Sequence, residues 1–377
     1  MSLFLVILLT GLLPDFNTVL PVQFHAPEGW HLDCTSLDSA GRIIAGCSRW
    51  NPELLEHEVL LFMVWESVDT VMIDDQRITR LTSICPDSRG GYFVTFPSEF
   101  RSDEVFAARL NADGSLDWLA DQFGDTEEGL DGLIAFAETP YGGYVLGGNP
   151  YNSDGNKSFY IAVIGEDGVL FWEAEGELYA EVNAVAAYPQ GLILAGEKTG
   201  SELTQAFAWC YSYTGDLLWE HGYDLGGFSE FDCVASLTDG YVFGGTHWPM
   251  ETPQCGLLIR TDLLGNEMWR KLIPPEEGYQ QVYILSVLGR NNGSIVAAGF
   301  SVRDNAPRNT SDAMAILLSS DGIVSDYAFS GKPEQNHEEI NRIFQDQDNA
   351  LRFYGCCYGD DYDGVYYFAF PPVYLDE

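Results

Sequence analysis

The chain has 377 residues, with 18 Lys and Arg against 57 Asp and Glu, for a formal net charge of −39. A field of that sign repels nucleic-acid phosphates and anionic lipid headgroups, which excludes polyanion-binding roles. At 46% hydrophobic and 14% aromatic, with 39 Gly, the sequence can bury a large core joined by many turns, which excludes intrinsic disorder despite the charge.

The first element is the apolar run Leu3–Leu13, LFLVILLTGLL. It is shorter than the roughly 20 residues needed to span a bilayer and matches the core of a signal peptide. Residues 1–19 are therefore expected to be a signal or lead segment, cleaved between about Leu13 and Leu20. Export to the periplasm, the cell envelope or the outside follows. The first Lys or Arg is Arg42, so the usual basic n-region is missing, and a buried strand is the alternative reading. No other stretch reads as transmembrane.

Next comes a hairpin centred on Ala40-Gly41, which would set Cys34 opposite Cys47 and makes that pair a disulfide candidate. The eight cysteines contain no C-x-x-C and the six histidines do not cluster with them, so a structural zinc site is not expected.

From here a repeat organises the chain. A Gly-Tyr turn, an apolar pair and a Gly read GGYVLGG at Gly142–Gly148 and DGYVFGG at Asp239–Gly245. Looser copies begin at Gly41, Gly90, Gly191, Gly293 and Ala350, for seven in all. Each is followed by an alternating apolar run, and four of these runs close on a polar turn with Trp four residues after its Gly, at Trp118, Trp172, Trp219 and Trp269. These tryptophans are 54, 47 and 50 residues apart, and such a period marks a repeat architecture. Each unit reads as a four-stranded antiparallel meander that cannot bury both faces alone. The expected fold is all-β, a seven-bladed β-propeller spanning residues 20–377, with the four tryptophans wedged between neighbours. Met72 and Asp326 stand near the Trp position in the first and sixth units. Residues 333–344 form the single short helix candidate, and the repeat register makes them a linker. The segment Leu20–His25 is expected to pair with Val365–Phe370 and complete the last unit.

The repeat resembles the bacterial secreted β-propeller repeats of pattern GGYxLxG followed by GNxxW and, more distantly, the tryptophan-docking blades of quinoprotein-like propellers. Of the docking pattern, the Ala ten residues before Trp is present at Ala108 and Ala162, Thr-Gly only at Thr214-Gly215, and the Asp is absent. These departures weigh against a quinone cofactor. Some quinoprotein dehydrogenases of this kind place a vicinal disulfide beside the cofactor. Cys356-Cys357 is such a pair, although adjacent strand residues ordinarily face opposite sides.

No hydrolase elbow, P-loop, dinucleotide fingerprint or zinc-protease helix occurs. The chemistry-bearing candidates are loops. Asp360, Asp361 and Asp363 in GDDYDG are weak calcium ligands, as are Asn152, Asp154 and Asn156 in YNSDGNKS. Trp50, Trp248 and Tyr362, with Tyr366 and Tyr367, are candidate stacking platforms in or beside loops, Trp50 and Trp248 being expected on one face; inter-blade packing is the rival role. The expectation is an exported, monomeric, non-enzymatic binding or scaffold protein without a cofactor, whose partner is a protein or glycan. A quinoprotein-like or carbohydrate-active enzyme with a central-channel site and an envelope assembly scaffold are the alternatives.

Overall fold

The structure, a computed structural model, describes residues 13, 22–37, 42–54, 56–64, 68–97, 105–120, 133–150, 156–200, 203–250, 252–304, 310–329, 337–345, 349–358 and 365–369. All regular structure among them is β. After β1 (Val22–Phe24) come β2 (His31–Leu37), β3 (Ile43–Asn51), β4 (Glu56–Val64) and β5 (Val68–Ile73), a four-stranded antiparallel sheet. The second sheet is β6 (Ser83–Pro86), β7 (Tyr92–Pro97), β8 (Val105–Leu110) and β9 (Leu116–Ala120). The third is β10 (Leu133–Glu138), β11 (Tyr144–Gly148), β12 (Ser158–Ile164) and β13 (Leu170–Leu178). The fourth is β14 (Ala180–Tyr188), β15 (Gly191–Thr199), β16 (Thr204–Tyr211) and β17 (Leu217–Tyr223). The fifth is β18 (Gly227–Leu237), β19 (Gly240–Pro249), β20 (Cys255–Thr261) and β21 (Glu267–Ile273). The remaining strands are β22 (Tyr279–Gly289), β23 (Ile295–Arg303), β24 (Ser311–Leu318), β25 (Val324–Phe329), β26 (His337–Gln345), β27 (Leu351–Tyr358) and β28 (Val365–Ala369). With β1 they make one eight-stranded sheet.

The sheets therefore number six, not the seven expected from the repeat count. The cause lies at residues 333–344. In place of a linker, His337–Gln345 is a strand, and it meets β24 through a parallel bridge between Ser311 and His337 that joins the last two meanders into one sheet. Ser311 Oγ lies 2.7 Å from His337 Nδ1, and His337 Nε2 lies 3.0 Å from Glu339 Oε2. The N-terminal segment pairs as the sequence suggests, with Val22, Gln23 and Phe24 opposite Ala369, Phe368 and Tyr367.

The described chain divides into two compact units. One holds His25–Asp38 and Arg42–Ser236; the other holds Met1–Phe24, Ser39–Gly41 and Leu237–Glu377. In the first, the middle strands β11 and β12 of the third sheet are almost wholly apolar and buried at every position, while the outer strand β13 alternates between half-buried and exposed. Phe159, Ile161 and Val163 of the third sheet pack on Val182, Leu192, Leu194 and Trp209 of the fourth, each large side chain contributing about 1.5–3 kcal/mol by its burial. A buried ion pair stitches the second and third sheets. Asp87, its side chain fully buried, accepts from Arg109 Nε at 2.7 Å, the Gly91 N–H at 2.8 Å and the Tyr144 hydroxyl at 2.9 Å. Burial alone would raise its carboxyl, but these three donors hold it below the ordinary range.

Three of the repeated tryptophans, Trp118, Trp172 and Trp269, sit on the turn of the following meander. Trp118 Nε1 donates to Glu166 O at 2.8 Å, Trp172 Nε1 to Tyr213 O at 2.9 Å and Trp269 Nε1 to Ser320 O at 3.0 Å. Under the rings lie Gly168 and Gly322, at φ of 82° and 79°, where a Cβ would come within 2.7 and 2.9 Å of the indole. These glycines thus satisfy both a left-handed turn and a close approach. Trp219 occupies the same register position in β17, opposite Cys210. In the first sheet the backbone of Met72 takes the ring's place against Gly114. Asp326 accepts the Leu13 N–H at 2.6 Å, and Leu13 is buried among Val296, Ala313 and Ala315.

Candidate binding site

The first strand of most meanders carries a β-bulge, at Asp33 between Leu32 and Cys34, and likewise between Val182 and Ala184, Ile284 and Ser286, and Ile340 and Arg342. A bulge adds one residue, turns its side chain aside and increases the local twist. At the first bulge Asp33 accepts from Ser48 Oγ at 3.0 Å and from the Leu81 N–H, which leads into the second sheet, at 3.3 Å. Burial dominates its carboxyl and raises it above the ordinary value.

The bulge also answers the disulfide expectation. Because it shifts the register, Cys34 faces Gly46 and Cys47 faces Leu32, and both thiols are free. Burial, reinforced by Asp33, pushes Cys47 up to about 12 and raises Cys34 as well, so neither is a reactive thiolate at neutral pH.

Around Asp33 opens a pocket of about 520 Å³, entirely within the first unit. The turn before β2 supplies Gly29 and Trp30, β2 supplies His31 and Asp33, and the end of β3 supplies Ser48, Arg49 and Trp50. His57 from β4 and Arg80 from the approach to β6 complete it. Trp50 stands 52% exposed, its ring edge-on to His57 at 4.9 Å. Arg49 lies over the Trp30 ring, 4.5 Å from its centroid, and its Nε donates to Glu58 Oε2 at 2.6 Å. Glu58 is held again by Asn51 Nδ2 at 2.9 Å, and these hydrogen bonds keep its carboxyl below the ordinary range. Two indoles, two guanidinium groups and two imidazoles thus converge on one concave surface of a chain whose formal charge is −39.

Of the sequence candidates, Trp50 belongs to this pocket. Trp248 is 51% exposed on β19, in the other unit. Tyr362, Asp360, Asp361, Asp363, Asn152 and Asp154 lie outside the described residues, and among the described ones no group of three or more His, Cys, Asp or Glu is placed to hold a metal ion. Cys356 and Cys357 are thiols and form no vicinal disulfide; the Cys356 thiol donates to Glu339 Oε1 at 3.0 Å, while Cys357 joins the apolar cluster around Leu351 and Phe353. No described helix is long and apolar enough to cross a membrane.

A second polar cluster occupies the corresponding place in the fourth sheet. Glu181 pairs with Glu197 across β14 and β15 as His31 pairs with Ser48 across β2 and β3. Burial raises both Glu197 and Glu230; the charges of Glu230 and Glu181 raise Glu197 further, and the charge of Glu181 raises Glu230. Lys157 Nζ offsets part of this charge at Glu181 Oε2, 2.6 Å away.

No family model and no curated protein sequence matches the chain. Solved structures do. The β-propeller domain of the Trilobed protease from Pyrococcus furiosus aligns over 94% of this chain and 97% of its own, at 7% identity and a TM-score of 0.51. Sqt1 from Chaetomium thermophilum aligns over 93% and 98%, at 11% identity and a TM-score of 0.51. The fold is a β-propeller. At such identities the likeness carries the propeller architecture and no activity.

Proposed function

We propose that this propeller is a non-enzymatic binding module, exported from the cell, that takes a protein- or glycan-borne group in the pocket at Trp30 and Trp50. The observation that carries this reading is the half-exposed Trp50 ring on the wall of a 520 Å³ cavity. An exposed indole is a stacking platform for sugar and peptide rings, and a rigid β scaffold holds it without further ordering cost. Glycan and peptide arrays probed with the purified chain test it: Trp50→Ala should abolish capture of whatever the parent chain retains. Equal capture by both proteins removes the pocket from the function. Export is tested by N-terminal sequencing of the chain recovered from its native cell, where a start between about Leu13 and Leu20 is expected.

The carboxylates Glu197 and Glu230 favour one rival, a carbohydrate-active enzyme, because a carboxyl kept protonated by its surroundings is the equipment of a general acid. Release of reducing ends from an oligosaccharide panel that is lost in Glu197→Gln would establish the rival and displace the binding reading.

A further inference from the structure

The pocket's charge and aromatic content specify a ligand more narrowly than its shape does. We infer that the group it receives is an acidic saccharide, a pyranose ring bearing a carboxylate. This rests on the reading of the pocket as the binding site.

A chain with 57 carboxylates and 18 Lys and Arg places Arg49, Arg80, His31 and His57 around one cavity. Its one lining carboxylate, Asp33, already has both oxygens engaged, by Ser48 Oγ and the Leu81 N–H. Arg49 is committed to Glu58 and to the Trp30 face. Arg80 differs: among the described residues it forms no salt bridge or hydrogen bond, and it is exposed. Its guanidinium keeps the planar fork of donors that matches a carboxylate. His31 and Arg80 line the cavity together with Asp33. Trp50, edge-on to His57, leaves an indole surface open on the same cavity. A ring stacked on Trp50 with its carboxylate turned toward Arg80 and His31 would use both features. A neutral sugar leaves the Arg80 donors unused, and a bare carboxylate leaves the indole unused.

Calorimetric titration with two probes tests this: a trisaccharide ending in glucuronate and the same trisaccharide with that carboxyl reduced to the alcohol. The acid form should bind at least about tenfold more tightly, the difference one charge-assisted contact supplies. Arg80→Gln should erase the difference, Arg80→Lys should restore part of it, and Trp50→Ala should weaken both probes. Both replaced side chains are exposed, and an unchanged melting temperature checks that each variant folds. Equal affinity for the two probes, with both lost in Trp50→Ala, overturns the acidic-saccharide inference and leaves the pocket as the binding site. Binding of neither probe also overturns it, and the array experiment then decides the pocket separately.

Discussion

The bulge region of the first sheet and that of the fourth share a backbone and differ in chemistry. In each, an extra residue in the first strand reaches the next sheet: Asp33 accepts the Leu81 N–H, and Asn183 donates to Phe231 O at 3.0 Å. In each, a cross-strand pair flanks the bulge, His31 with Ser48 in one and Glu181 with Glu197 in the other. Around the first collect guanidinium, imidazole and indole; around the second collect carboxylates raised by burial and by one another's charge. The repeat supplies a fixed frame at this position, and the side chains placed on it decide whether it becomes a basic aromatic cavity or a proton-holding acidic cluster.

Four substitutions probe that shared frame. The largest effect is expected from Asp33→Ala, which strips the acceptor from Ser48 and Leu81 and leaves a backbone donor unsatisfied; urea unfolding should show a loss of about 1–3 kcal/mol. Asn183→Ala removes one neutral donor to Phe231 O and should cost about 1 kcal/mol in the same measurement. If Asn183→Ala proves the more costly, the two bulges are not equivalent joints.

Glu197→Gln probes the acidic side. Glu197 is pushed from its ordinary 4.5 to about 8, by burial first and then by Glu230 and Glu181. Between those values the folded chain holds a proton the unfolded chain has released, so stability falls as pH rises through that interval. Melting temperatures measured across it should decline in the parent chain and decline less in Glu197→Gln. A parent curve that rises over this interval would contradict the raised carboxyl. The smallest effect belongs to Arg49→Met, which breaks a pair between exposed Arg49 and half-buried Glu58; its melting temperature should match the parent's within error, since such surface pairs contribute little.

The repeat was legible in sequence because its turn glycines and tryptophans are spaced about fifty residues apart, and the pairing of Val22–Phe24 with β28 followed from the register. The bulges were not legible, and they account for two misreadings. In β26, Ile340 and Ile343 are both buried although three residues apart, because the bulge at Asn341 adds a position between them. That spacing imitates a helix and hid the strand that joins the last two meanders, reducing seven expected sheets to six. At Asp33 the same device displaced Cys34 from Cys47. In the pocket, Trp50 was visible as an aromatic beside a loop. Arg80 was not, because it belongs to the approach to a different sheet and shares the cavity with Trp50 only once the chain is folded. The adjacent Arg49-Trp50 in so acidic a chain was the available local signal.

The tryptophan joints carry a further consequence. Each is written half in one repeat, as the indole, and half in the next, as a left-handed glycine with a free carbonyl before it. A duplicated gene segment covering one whole repeat would therefore bring both a donor for the next repeat and a seat for the preceding one. Lengthening the array requires no new joint to be invented, and because seat and donor lie four residues apart, only a cut between them would separate the two.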